Sequence, residues 1–407
     1  MANECMPQAE QGYLRPSSEE AWPRYADDEI AAAVDILRSG KVNQWTGSHV
    51  RSFEEAYAAH IGRGKAIALA NGSVALELAL RALGVGPGDE VIVTPRSFVA
   101  SAFCVLLVGA KPVFADVDRD SGNMSPATIQ AALTPRTKAV IPVHLGGWPA
   151  DMPGIMNLAE RHGIKVIEDC AQAHGAEIDG NPVGSFGDAA AFSFCQDKII
   201  TTAGEGGLTI FADDAAYEYA WSFKDHGKDR SKALDHGSGA SGFRWLHDSI
   251  GTNWRMLEIS AAIGSLQLGK LSQWRAVRAR NASIWADALR QAPSLRVPLP
   301  PAGVEGAFYK LYAYVDAPDP QPLRDEIITQ ATRIGIRLFS GSCPEIYRER
   351  AFADLAVERL PVARELGESS LMMEVHPTLD PVLLNARAKA VASIAADVLA
   401  TAPSQRS

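Results

Sequence analysis

Seven short, almost unbroken apolar runs recur between about residues 65 and 212, and no other feature limits the possible folds so strongly. They are KAIALA (65–70), EVIVTP (90–95), KPVFADV (111–117), KAVIPVHL (138–145), KVIEDC (165–170), AAFSF (190–194) and GLTIFA (207–212). A strand that is apolar on both faces has no side to offer water, so such runs belong to a mainly parallel sheet covered on both faces. Helical patterns lie between them. In SVALELALRALG, Leu76, Leu80 and Leu83 recur at i, i+4 and i+7 on one helical face, and GVGPGDE follows with Gly and Pro where a helix should end. The expected architecture is a doubly wound α/β domain, which binds ligands beyond the carboxyl ends of its strands.

The rest of the chain reads differently. Residues 13–55 suggest an irregular arm with one helix, Asp28–Ser39, attached to the large domain, which then covers 13–260. From about residue 260 the texture changes to a long helical stretch (Met256–Arg290), a Pro-rich PLPPAG and mixed elements that include a strand candidate, LYAYV (311–315). A smaller C-terminal α+β domain over 261–407 is expected, since 407 residues suffice for one large domain and a smaller one.

Composition narrows the partners. A net charge of −9 argues against nucleic acid or an anionic membrane as the main partner, without excluding an anionic small molecule. Cys5, Cys104, Cys170, Cys195 and Cys343 are scattered and form no CxxC pair, so neither a disulfide framework nor a zinc site is expected. The nine histidines show no HExxH or HxH spacing, and G-x-S-x-G and Walker A patterns are absent. The first dozen residues are polar and acidic, and Val99–Ala110 is too short to span a bilayer. A cytoplasmic protein fits these readings.

The residues that could carry chemistry stand at strand ends. Lys198 lies between an apolar strand and a Gly-rich turn, in AFSFCQDKIITTAGEGG. A surface loop lysine is the commoner case, but this setting also suits a lysine that forms a Schiff base. Asp169 ends the strand KVIEDC, 29 residues earlier. A pyridoxal phosphate (PLP) ring works as an electron sink while its ring nitrogen is protonated, and a buried carboxylate holds that proton. The adjacent Glu168 is a rival, but side chains alternate along a strand, and Asp169 stands nearer its carboxyl end. A capping or turn aspartate is the plainer reading. Phosphate calls for N–H donors, small residues and a helix start, which NGSVALELAL supplies through Gly72 and Ser73. Ser193 is a second candidate for phosphate, and Phe98 could stack on the ring, although an aromatic there is more often core.

Together these segments resemble the DegT/DnrJ/EryC1/StrS family of sugar aminotransferases. The resemblance runs in order from about Trp22 to His376, and its most specific parts are EDCAQAHG and FSFxxxKxxTTxxEGG. It implies the PLP-dependent transferase fold of type I. It also implies PLP carried on Lys198, Asp169 at the ring nitrogen, and Gln172 at the phenolic oxygen or ring face. Gly72, Ser73 and Ser193 would hold the phosphate, Phe98 would stack, and Asn253 of GTNWRM would reach the phosphate of the other subunit in a homodimer. The implied reaction moves an amino group from glutamate or glutamine to a nucleotide-linked keto-sugar in amino-sugar biosynthesis. A keto-cyclitol acceptor and a PLP-binding regulator without turnover are the alternatives. Two departures stand out: Ala203 turns the family's TTGEGG into TTAGEGG, and 224–250 is longer than in many members. Relatives with histidine in place of the lysine are dehydratases, so Lys198 implies transamination.

Overall fold

The computed structural model describes residues 14–235 and 243–400. The seven apolar runs become the strands of one sheet. They are β1 (Lys65–Leu69), β2 (Glu90–Val93), β3 (Lys111–Phe114), β4 (Thr137–Ile141) and β5 (Lys165–Asp169). After a short ribbon of β6 (Glu177–Ile178) and β7 (Asn181–Pro182) come β8 (Ala189–Ser193) and β9 (Gly207–Phe211). The order across the sheet is β1-β9-β8-β5-β4-β2-β3. From β3 to β8 all neighbours are parallel, while β9 runs antiparallel to both β8 and β1.

Alternation along the strands sends side chains to separate cores on the two faces of the sheet. Ile67, Val91, Val93, Ile141 and Ile167 pack on one face against Leu76 and Leu80 of α3 (Gly72–Ala82) and Val105 of α4 (Ala100–Leu107), and Tyr217 and Trp221 join the same core. Their strand neighbours Ile92, Val140 and Val166 face Met152, Ile155 and Leu158 on the other side. Also away from the first core, Ala66, Ala68 and Phe192 meet Phe53 and Tyr57. Both faces are therefore dry, which is why the strands read as unbroken apolar runs.

The N-terminal region holds one helix more than expected. α1 (Asp27–Ser39) is followed by α2 (His49–Ile61), in which Val50, Phe53, Tyr57 and Ile61 are buried on one face. That pattern begins inside the supposed arm and ends beyond it, so a cut at residue 55 divided it. KAVIPVHL also leaves the sheet early: β4 stops at Ile141, before Pro142, and only a single bridge joins Val143 to Asp169.

The chain adds α5 (Pro126–Ala132) and α6 (Met152–His162) before β5, and α7 (Asp214–Phe223) and α8 (Arg230–Leu234) after β9. The long α9 (Glu258–Leu289) follows. A second, three-stranded sheet orders β10 (Leu295–Arg296), β12 (Lys310–Val315) and β13 (Ser370–Glu374), while β11 (Val304–Glu305) joins β6. Leu311, Ala313 and Val315 of β12 share a core with Trp285 and Leu289 of α9, Ile327 of α10 (Pro320–Arg333) and Val391 of the last helix. That last helix is α12 (Pro381–Ala400), after α11 (Pro361–Ser369). Its Arg387 forms a bidentate ion pair with Glu20, 2.7 Å on each arm, tying the N-terminal arm to the chain's last helix. Among the described residues no helix is long and apolar enough to cross a membrane.

Candidate active site

A cavity of about 660 Å³ opens at the carboxyl ends of β5 and β8. Its lining includes Asn71, Gly72, Ser73, Phe98, Ser101, Asp169, Gln172, Ser193 and Lys198, together with Tyr309, Ser342 and Cys343 from the second half of the chain. Of the eight residues singled out in the sequence, seven therefore share one wall-to-wall space. The eighth, Asn253, is exposed and does not line it; its side chain accepts a long bond from the Arg255 N–H at 3.4 Å.

Alternation along β5 settles where the two carboxylates point. Asp169 faces the cavity at 3% exposure, accepting from Ser101 Oγ at 2.8 Å and from the Ala171 N–H at 3.2 Å. Burial pushes its carboxyl up, against the hydrogen bonds from Ser101 and Ala171 and the nearby charge of Lys198. Glu168 turns to the opposite side, where its carboxylate accepts the N–H groups of Gly184, Phe186 and Gly187, each at 2.8 Å. Glu168 thus holds a loop, and Asp169 alone of the pair lines the cavity.

One end of the cavity is built for an anion. Asn71 caps α3, its side chain accepting from the Val74 N–H at 3.1 Å, so the first N–H groups of the helix open onto the cavity beside Ser73. Gly72 is required by space: a Cβ there would stand 2.6 Å from the Ser193 Cβ. The absence of that carbon lets the helix start and the end of β8 close on each other, a small cradle with N–H and hydroxyl donors.

Lys198 approaches from the turn after β8. Its side chain is 14% exposed, with Nζ 4.0 Å from Asp197 Oδ1 and 4.9 Å from the centre of the Tyr309 ring. The Tyr309 hydroxyl donates to Asp197, fixing both groups beside the lysine. The backbone of the turn is anchored from afar: the Trp22 indole N–H donates to the Lys198 carbonyl at 2.9 Å, and the Thr201 N–H to Gln267 at 2.8 Å. Gln172 is held by accepting the Gly146 N–H at 2.7 Å, and Phe98 stands at the cavity 65% exposed. Sequence reasoning missed Asn71, Ser101 and Tyr309. Asn71 directly precedes Gly72, and its capping chemistry could have been read; Ser101 and Tyr309 come close only through the fold.

A mainly parallel sheet with a lysine and a buried carboxylate meeting at its carboxyl edge is the arrangement of an aminotransferase. The chain belongs to the DegT/DnrJ/EryC1/StrS aminotransferase family, whose model matches residues 23–391. It is 40% identical over 333 residues to the UDP-N-acetyl-3-dehydro-alpha-D-glucosamine 3-aminotransferase of Acidithiobacillus ferrooxidans, covering 82% of this chain and 85% of that one. It is 39% identical over 309 residues to the L-glutamine:2-deoxy-scyllo-inosose aminotransferase of Streptomyces fradiae, covering 74% and 71%. The solved structure of an aminotransferase from Psychrobacter cryohalolentis is 45% identical with a TM-score of 0.90, covering 93% of this chain and 99% of that one.

Proposed function

We propose that this aminotransferase moves the amino group of glutamate or glutamine to a nucleotide-linked keto-sugar, with PLP carried on Lys198. The observation that carries the reading is the placement of Lys198, Asp169 and the Gly72–Ser73–Ser193 cradle around one cavity. These residues fit the cofactor. A buried carboxylate suits the ring nitrogen, the cradle suits the phosphate, Gln172 borders the space between, and Phe98 is placed to cover a ring face. When bound, PLP supplies an electron sink that stabilises charge at the donor's α-carbon.

The chain's own groups do the rest. Lys198 Nζ is the base that takes the proton from the donor carbon and the acid that returns it one step later. Asp169 keeps a proton in place at its carboxylate, and Ser101 fixes the direction of that carboxylate. Tyr309 and Asp197 border the lysine and limit where its amine can swing. The same reading divides the chain into a cofactor-binding part, 13–260, and a smaller part, 261–407, that closes the cavity with Tyr309, Ser342 and Cys343. It also makes the enzyme a homodimer in the cytoplasm, with Asn253 serving the neighbouring site.

The sugar acceptor is favoured by the similarity to the Acidithiobacillus ferrooxidans enzyme, and a cyclitol acceptor by the similarity to the Streptomyces fradiae enzyme. A half-reaction screen separates them. Glutamate or glutamine should bleach the cofactor's absorption, and a UDP-linked 3-keto-sugar should restore it with appearance of the amino sugar. Restoration by an inosose alone would replace the sugar with a cyclitol. Absorption unmoved by any amino acid would refute the catalytic reading.

A further inference from the structure

His174 takes no part in the chemistry above, yet it is fully buried directly behind the anion cradle. Its ring lies among Phe192 and Phe194, at centroid distances of 5.6 and 5.3 Å, with Tyr57 edge-on. Each ring nitrogen has one partner. Nε2 is 2.8 Å from the Ser193 carbonyl oxygen, and Nδ1 is 2.7 Å from the Tyr57 hydroxyl.

These contacts leave one arrangement of protons. A carbonyl only accepts, so Nε2 carries the hydrogen; a neutral ring then keeps a lone pair on Nδ1, and the Tyr57 hydroxyl must donate to it. Burial pushes the imidazole down to about 3, so it stays neutral where enzymes work. With the hydroxyl gone, the Ser193 carbonyl still favours the hydrogen on Nε2, but Nδ1 is left buried without a partner and the ring loses its anchor on the side away from Ser193.

Ser193 is the last residue of β8 and packs on the first residue of α3, where a Cβ on Gly72 would stand 2.6 Å from its own. Any shift of the Ser193 backbone therefore moves its hydroxyl and the start of that helix together. We infer that His174, anchored at its far nitrogen by Tyr57, is a positioning residue that fixes Ser193 and with it the phosphate-binding end of the site. The inference rests on the proposed reading of that end as the phosphate cradle.

The test compares equilibrium binding of PLP and of pyridoxal, the same ring without phosphate, to the cofactor-free protein. Tyr57→Phe keeps the packed ring and removes only the hydroxyl. It should weaken PLP about ten-fold, the scale of one lost hydrogen bond, and pyridoxal by less than about two-fold. His174→Phe should do the same, and His174→Gln, which can again donate to Ser193 and accept from Tyr57, should restore much of the difference. Thermal unfolding of each variant reports the general loss of packing separately. Equal weakening of both ligands would reduce His174 to a core prop and overturn the inference, as would no change in either. Ser193→Ala marks which reading has failed. If it leaves the ratio of the two affinities unchanged, the cradle reading falls and the inference with it. If it shifts the ratio while Tyr57→Phe and His174→Phe do not, the inference alone falls.

Discussion

At the scale of single residues, the chemistry depends on which way neighbouring side chains point. Asp169 and Glu168 are adjacent carboxylates, and the pleat of β5 sends one to the cavity and the other to the 184–187 loop. Asp169→Ala should remove the counter-charge for the ring nitrogen and lower turnover by at least ~10²-fold, as loss of one electrostatic stabiliser does. Glu168→Gln should keep the chemistry and lower thermal stability, because its carboxylate serves three backbone N–H groups and lies 3.4 Å from the buried His144 ring, all away from the cavity. Steady-state rates with melting curves for both variants check this, and a reversed pattern would exchange their roles. Much of this level was legible in the sequence. Lys198, Asp169, Gly72, Ser73 and Ser193 stand at strand ends, where a doubly wound sheet binds ligands. Ser101 and Tyr309 carried no such mark, since a serine in an apolar helix and a tyrosine before a strand gain meaning only from what the fold sets opposite them.

At the scale of elements, the seven strands could be read because burial on both faces leaves a continuous apolar record. α2 was lost for an equally physical reason: its buried stripe of Val50, Phe53, Tyr57 and Ile61 is spread over the charged HVRSFEEAYAAHI, which reads as surface. Nor did the sequence reveal that Arg96 is fully buried and lies over Tyr312 and Tyr314 of β12, at 5.3 and 5.8 Å from their ring centres. The departure at TTAGEGG has a structural expression. Ala203 adopts φ 61°, a left-handed conformation that costs a residue with a Cβ about 1 kcal/mol or more. Ala203→Gly should relieve that strain and raise stability by up to about 1 kcal/mol, the gain being trimmed by the greater freedom of glycine in the unfolded chain. Denaturant unfolding measures the difference, and a clear loss of stability would show that the Ala203 methyl makes a packing contact outweighing the strain.

At the scale of the whole molecule, the site draws on remote parts of the chain. The arm delivers Trp22 to the Lys198 carbonyl, the arm itself is bound to α12 through Glu20 and Arg387, and the second sheet delivers Tyr309. Of the eight residues Asn253 alone stays outside the cavity, which the proposed homodimer with shared sites would account for. Chains carrying Lys198→Ala mixed with chains carrying Asn253→Ala should regain activity, because each mixed dimer contains one doubly damaged site and one intact site. Random exchange predicts about a quarter of normal activity, from half the dimers with half their sites. Exchange shown by mass without recovered activity would confine Asn253 to its own chain. The proposed chemistry depends above all on Lys198 as the residue that carries the cofactor. Borohydride reduction of the PLP-loaded enzyme followed by peptide mapping tests this most directly. The account predicts that the reduced cofactor is found on the peptide containing FSFCQDKIITT, at Lys198, and its recovery on any other lysine would contradict it.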